Sequence, residues 1–436
     1  MSPKRILIVG AGFAGLYAAI GLRAAAERGH RVTVVNPENF MQYQPFLPEV
    51  ASGTVDPRAV VVPLRRVLRH CEVVIGEVVG IDHDGREATL RLAGGGERTL
   101  GYDVLVLATG SRSRVPPVPG LAERGVGFKT VQEAIYLRNR VLSRLDIAAE
   151  TDDRERRRSA LAFVFVGGGY AGVEALAELE DLARDAARSV PTLDPSDLRW
   201  VLVEATGRIL PELDPDLAAY AEGLLESRGI EILKHTTLES LEGGVVRLSN
   251  GRSFPADTVV WTAGVTPSPL ARASGFPVDP AGRVLVDSFL RVRGVEGAWA
   301  AGDAAAVPDS GGGIMPPTAQ HGMRQGRRVA ANLSLALEGR PGRPFVYRSI
   351  GSVCSLGRYK GVASIRGFKV RGFPAWFLHR SYHLLAMPTI PRRVKIAMDW
   401  TVALLFPRDI AQLGVLERPR ESFARAAAGS SSVADS

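Results

Sequence analysis

KRILIVGAGFAGLYAAIGL, residues 4–22, sets Gly10, Gly12 and Gly15 in the G-x-G-x-x-G spacing, between an aliphatic run and an Ala/Leu-rich helical pattern. The context makes this a dinucleotide-binding turn. A buried parallel strand would end at the first glycine, which permits the backbone reversal. The second lets the chain approach a pyrophosphate, and the third lets helix and strand pack closely. The free N–H groups of the helix N-terminus then face the phosphates. The pattern recurs in ALAFVFVGGGYAGVEALAEL, residues 160–179, with Gly167, Gly169 and Gly172. Two such sites in one chain point to electrons passed from one dinucleotide to the other.

The strand after each fingerprint carries a polar tip. HRVTVVNPENF (30–40) ends its apolar run at Asn36, where an acidic residue usually holds the adenosine ribose. Asparagine can still accept from a ribose hydroxyl. LRWVLVEATGRILP (198–211) reaches Glu204, and a carboxylate there bonds a free 2′-hydroxyl and repels a 2′-phosphate, so the second site should prefer NAD to NADP. The gap from Gly172 to Glu204 is longer than usual, and the polar insert RDAARSVPTLDPSD (184–197) reads as a lengthened loop.

Two further strand ends follow: YDVLVLATG, reaching Ala108, Thr109 and Gly110, and VEGAWAAGD, reaching Ala301, Gly302 and Asp303. With the N-terminal fingerprint they resemble the FAD domain of the two-dinucleotide, glutathione-reductase-like flavoproteins. The resemblance implies that Asp303 holds the ribityl chain of a noncovalent FAD. It also implies that WTAGVTPS, with Ala263 and Gly264, closes the second domain beside the nicotinamide of NADH. The expected fold is α/β: two Rossmann-like domains, the FAD domain discontinuous, and a C-terminal membrane-associating region. The boundaries read 1–118 and 269–339 for the FAD domain, 119–268 for the NADH domain, 340–425 for the C-terminal region and 426–436 for a disordered tail.

The chain has 436 residues, 46% of them hydrophobic, and 47 glycines, which suits a multidomain α/β enzyme. MSPKRILIVG enters a strand at once, with no leader pattern. No window approaches the roughly 18 apolar residues of a membrane span. The run TDDRERRRS (151–159) reads as a solvated loop. Cys71 and Cys354 are the only cysteines, far apart, so the paired thiols of disulfide and thioredoxin reductases are missing. Seven scattered histidines show no metal-ligand spacing, so no metal site is expected.

IMPPTAQHGMRQGRRVAANLSLAL (314–337) reads as a helix capped by Thr318, with Ala319 in its first turn. Its free N–H groups can stabilise negative charge on an electron-rich ring edge. Ala319-Gln320 and Gln325 resemble the A-Q-x-A-x-Q quinone motif of type II NADH:quinone oxidoreductases. Gly322 replaces the second alanine, Arg324 falls at the second glutamine, and Gln325 is displaced by one place. From Arg340 to Arg420 there are 15 Lys/Arg against 3 Asp/Glu. Within this stretch WFLHRSYHLLAMPTI (376–390) and VKIAMDWTVALLF (394–406), separated by Pro391-Arg392-Arg393, combine apolar and basic residues as an interfacial helix does. Anionic headgroups add about 1 kcal/mol per basic residue at the surface. No nucleic-acid motif is present.

Across nearly the whole chain the resemblance implies a peripheral NADH dehydrogenase on the cytoplasmic face of the cell membrane, passing electrons through FAD to a membrane quinone without pumping protons. It implies that Glu174 lies near the nicotinamide–flavin contact and that Gln44, Pro45 and Phe46 of YQPFLPEVASG (43–53) line the flavin. Gln320, with Glu174, is then the expected catalytic residue, and Arg324 and Gln325 contact substrate. A homodimer is compatible with this reading. Two alternatives remain open: a soluble reductase of a rubredoxin- or ferredoxin-type carrier, and a slow, redox-sensing NADH-binding flavoprotein.

Overall fold

In a computed structural model of the chain, residues 2–412 are described apart from 310 and 348. The expected tail at 426–436 lies outside these residues. RILIV (Arg5–Val9) is buried from its second residue onward, as a strand covered on both faces must be. It is the middle one of the five parallel strands in a seven-stranded sheet ordered 298–300, 104–107, 5–9, 31–36, 72–82, 87–92, 97–101. The first five strands are parallel. The last two form an antiparallel meander at the edge. Helix α1 (Phe13–Gly21) follows the central strand.

The second fingerprint strand, Ala162–Val166, is buried throughout and occupies the middle of a five-stranded parallel sheet, 125–127, 258–261, 162–166, 199–203, 230–233. Helix α2 (Val131–Glu150) leads into this unit behind a capping box formed by Thr130 and Glu133. Helix α3 (Tyr170–Ala187) follows its glycine turn. Both parallel sheets thus match the expected class.

Local departures have local causes. The run at 151–159 is not all loop: Asp153 accepts hydrogen bonds from the N–H groups of Glu155 and Arg156 and starts a helix at Arg154–Ala160. The insert at 184–197 is partly the last turn of α3, followed by a short turn at Pro195–Asp197.

After α4 (Ala319–Leu337), the chain forms an antiparallel sheet of strands 351–355, 361–365 and 368–371. Its buried Cys354 and Val362 fill the core. Then come α5 (Phe373–Ala386) and α6 (Ile390–Leu405). The break lies at 387–389 rather than at Pro391, because a proline in the first helical turn gives up an N–H that has no intrahelical partner. No helix among the described residues is long and apolar enough to cross a membrane.

Candidate active site

The first glycine turn has the geometry its spacing requires. Gly10 adopts φ +93°, and a Cβ there would stand 2.3 Å from the Ala108 carbonyl oxygen. A Cβ on Gly15 would lie 1.8 Å from the Gly10 oxygen. Gly12 has nothing within 4 Å, which leaves its backbone open to a ligand. Asn36 Oδ1 accepts from the Ala11 N–H (2.8 Å), while its Nδ2 donates to the Glu38 carbonyl (2.8 Å). Asparagine therefore ties the loop to the tip of the neighbouring strand.

A cavity of about 680 Å³ runs from this turn past Thr109 and Gly110 to Asp303 and the start of α4 at Thr318, Ala319 and Gly322. Ser111 Oγ donates to Asp303 Oδ2 (2.6 Å), and Lys129 Nζ donates to Ser111 Oγ (2.9 Å). Burial pushes the Lys129 amine below its ordinary pKa, and the charge of Asp303 opposes that shift. Sequence reasoning missed Lys129 and Gln42, because neither belongs to a fingerprint. Gln42 donates to the Lys129 carbonyl (2.7 Å) and accepts from the Val131 N–H (2.5 Å).

Thr318 caps α4 by accepting from the His321 N–H (3.3 Å). Gly322, at the second alanine of the quinone motif, has a packing reason, as has Gly326 one turn on. A Cβ on Gly326 would stand 2.1 Å from the Ala14 oxygen, and one on Gly322 would stand 3.2 Å from Phe13 Cβ. Small residues let α4 lie directly on α1.

The second turn repeats the first. Gly167 has φ +115°, a Cβ on Gly172 would lie 2.0 Å from the Gly167 oxygen, and Gly169 is open. Glu204 Oε2 accepts from the Gly168 N–H (2.7 Å), and Oε1 accepts from the Thr206 N–H and hydroxyl (both 2.7 Å). Thr262 donates to the Gly167 carbonyl (3.0 Å) just before Ala263 and Gly264, the latter at φ +89°. Strands 111–113 and 265–267 pair and join the two units, with Ser111, Arg112 and Ser113 lining the cavity.

Residues 4–326 match the pyridine nucleotide-disulphide oxidoreductase family. The type II NADH:quinone oxidoreductase Ndh of Mycobacterium tuberculosis is 30% identical over 436 residues, covering 97% of this chain and 92% of that protein. The demethylphylloquinone reductase NdbB of Synechocystis is 30% identical, covering 91% of this chain and 95% of that protein. In fold the chain resembles NDH2 from Plasmodium falciparum, with a TM-score of 0.86 at 16% identity, over 94% of this chain and 100% of that one.

The chain belongs to the type II NADH:quinone oxidoreductase family.

Within this family member, the expected site residues separate into two groups. Gln44 lines the cavity, and its Nε2 donates to the Lys129 carbonyl (3.2 Å). Pro45 is half-buried at the start of a short turn. Phe46, expected as a lining residue, is instead fully buried, packed edge-on against His383 and Trp400. The short turn at 44–46 rotates Gln44 and Phe46 to different sides. Gln325 is also turned inward: its Oε1 accepts from the Gly302 N–H (2.7 Å) and holds the loop that carries Asp303. Gln320 Oε1 accepts from the Tyr347 hydroxyl (3.0 Å), and the Arg324 guanidinium stacks on the Tyr347 ring (4.3 Å).

Glu174, expected near the nicotinamide–flavin contact, is buried and bonded to the C-terminal region. Its Oε1 accepts from the Ser355 N–H (2.9 Å) and lies 3.1 Å from His379 Nε2. Trp376, read from sequence as part of a membrane-facing stretch, is 5% exposed under the Arg380 guanidinium (4.1 Å). Arg380 pairs with buried Glu49 (3.3 Å), which also accepts from Trp400 Nε1 (2.5 Å). A buried ion pair between neighbours thus fixes α5 and α6 onto the body of the protein.

Proposed function

We propose that this chain is a peripheral NADH dehydrogenase that uses noncovalent FAD to pass two electrons from NADH to a membrane quinone. Membership of the type II family and the two glycine turns support NADH and FAD as the pair of dinucleotides. The observation that carries the membrane quinone is the outer face of α6. Ile390, Val394, Met398 and Val402 recur every four residues and are 71%, 53%, 63% and 56% exposed, with Leu405 beyond them at 74%. Phe377 and Leu385 of α5 are exposed as well, at 57% and 69%. Large aliphatic groups on one side of a helix whose first turn carries Arg392 and Arg393 suit a helix lying in the headgroup region. A soluble acidic carrier would be recognised by charge rather than by such an apolar stripe. We place the docked protein on the cytoplasmic face, where NADH is made.

The residues present fit FAD. Gly12 leaves backbone open to a pyrophosphate, and the cavity continues to the N-terminus of α4. Gly10, Gly15 and Asn36 would hold the adenosine end, and Asp303, aligned by Ser111 and Gln325, would hold the ribityl chain. Bound flavin supplies the two-electron chemistry that no side chain here can perform. The protein's part is to position and polarise. Gly167, Gly169, Gly172 and Glu204 would hold NADH, with Ala263 and Gly264 beside its nicotinamide. The start of α4, where Thr318 and Ala319 line the cavity, turns the positive end of the helix dipole toward it. Gln320 and Arg324, braced by Tyr347, would meet the acceptor.

The test is turnover of the FAD-loaded protein with NADH and a short-chain quinone, together with cell fractionation. Quinone reduction by protein that leaves membranes only with detergent or high salt is the expected result. Soluble protein that reduces only a small iron–sulfur carrier would overturn the reading. An apolar face buried in a stable dimer, seen by sedimentation, would reassign that surface.

A further inference from the structure

Lys129 stands two residues ahead of α2, on the approach to the second dinucleotide-binding unit, yet its side chain and its carbonyl both reach into the flavin cavity of the first. Its Nζ donates to Ser111 Oγ (2.9 Å), which donates in turn to Asp303 Oδ2 (2.6 Å). Its carbonyl accepts from Gln42 Nε2 (2.7 Å) and Gln44 Nε2 (3.2 Å), both from the segment that lines the cavity. Its own N–H donates to Glu133 Oε2 (2.7 Å), the carboxylate that also closes the capping box of α2. The residue is tied on three sides, so its ammonium keeps a fixed place in the cavity wall.

The charges around the cavity give that ammonium a task. Glu38, Glu77, Glu133 and Asp303 line the cavity, against Lys129 and Arg112. Arg112 is exposed, where salt and water screen its charge, whereas Lys129 is half-buried. A bound dinucleotide brings the negative charges of its diphosphate, and two-electron reduction adds another to the flavin ring. Away from bulk water, like charges make each such addition costlier. Besides the helix start at Thr318, Lys129 is the half-buried positive group that offsets them among the described residues. Resting on the FAD reading above, we propose that Lys129 sets the reduction potential of the bound flavin, holding it higher than the carboxylates and the diphosphate alone would leave it.

The surroundings suit the role. Burial lowers the Lys129 pKa, and the charges of Asp303 and Glu133 oppose that fall, so the carboxylates that the ammonium offsets also favour its charged form. A hydroxyl stands between ammonium and carboxylate, so Asp303 can still accept from a ribityl chain while the cation answers its charge. An opposite charge at close range commonly moves a charge-changing equilibrium tenfold or more. Because Lys129 lies directly ahead of α2, the electron affinity of the flavin is tied to the seating of the unit that takes NADH.

Lys129→Met removes the charge and keeps the length of the side chain, while Lys129→Arg keeps the charge. Both are purified with FAD and titrated with sulfite, which adds to the flavin ring and, like reduction, leaves negative charge on it. Lys129→Met should bind sulfite at least tenfold more weakly, and its two-electron potential should fall by about 30 mV or more, the equivalent of tenfold. Lys129→Arg should stay within threefold of the unmutated protein. So should Arg112→Gln, which removes an equal charge from an exposed position. Flavin retained after gel filtration is measured alongside, and the titrations use the retained fraction. Unchanged sulfite affinity and potential in Lys129→Met would overturn the proposal, even with faster loss of flavin, because Lys129 would then only hold the cofactor. An equal shift in Arg112→Gln would overturn it as well, since any neighbouring cation would serve. Unmutated protein that binds no FAD would instead remove the flavin reading, and this role with it.

Discussion

Replacing Val394 and Met398 together by serine should release the protein from membranes while leaving its fold intact. The two side chains are 53% and 63% exposed, one turn apart on the same face of α6. Full burial of a Val or Met side chain is worth about 1.5–3 kcal/mol. Scaled by exposure, each has about 1–2 kcal/mol to gain on entering the acyl boundary, so the pair contributes about 2–4 kcal/mol. At about 1.4 kcal/mol per tenfold, that is roughly a thirtyfold to several-hundredfold loss in partitioning. Exposed positions of this kind change folding stability by only about 0.5 kcal/mol. Cosedimentation with anionic phospholipid vesicles measures the partition constant, and NADH–ferricyanide turnover reports on the fold. Partitioning within threefold of the original, in a variant with full ferricyanide turnover, would show that this face does not meet lipid. Trp376→Ser is the contrasting control: the ring is buried beneath Arg380, so its loss should lower thermal stability first.

Three other outcomes follow from the site. Asp303→Ala should lower FAD affinity at least tenfold, since a hydrogen bond to a charged group is worth about 1.5–3 kcal/mol, and it strands Ser111 and Lys129 as well; flavin absorbance retained after gel filtration measures this. Glu204→Gln should narrow a preference for NADH over NADPH of about tenfold, mainly through better use of NADPH, because it removes the charge that opposes a 2′-phosphate. Equal kcat/KM for both donors in the unmutated protein would refute that role. Gly326→Ala puts a methyl 2.1 Å from the Ala14 carbonyl oxygen, so α4 must move off α1. A loss of about 1–3 kcal/mol is expected, read as a lower melting temperature together with weaker flavin retention.

What the sequence made legible was whatever a contiguous stretch encodes. Both glycine turns, their strands and their helices could be read because backbone reversal, open backbone and close packing fall on residues within six positions of one another. Glu204 and Asn36 were placed correctly at their strand tips. Their bonds to the loop N–H groups of Gly168 and Ala11 were not visible, since those depend on the register of parallel neighbours. Near the flavin cavity, a short turn sends Gln44 to the cavity and Phe46 to the core, and no pattern of period 2 or 3.6 separates them. The C-terminal region was harder still. Its apolar stretches do contain the exposed stripe, but Trp376 and Trp400 lie among the same residues and face inward. The difference is Glu49, some 330 residues earlier, whose carboxylate binds Arg380 and Trp400 and turns that side of the helix pair to the body. The stripe left outside is therefore the remainder, the positions that nothing among the described residues covers. An apolar surface of that length marks an interaction site, and the proposed membrane docking would give acyl depth to Ile390, Val394, Met398 and Val402 and anionic headgroups to Arg392.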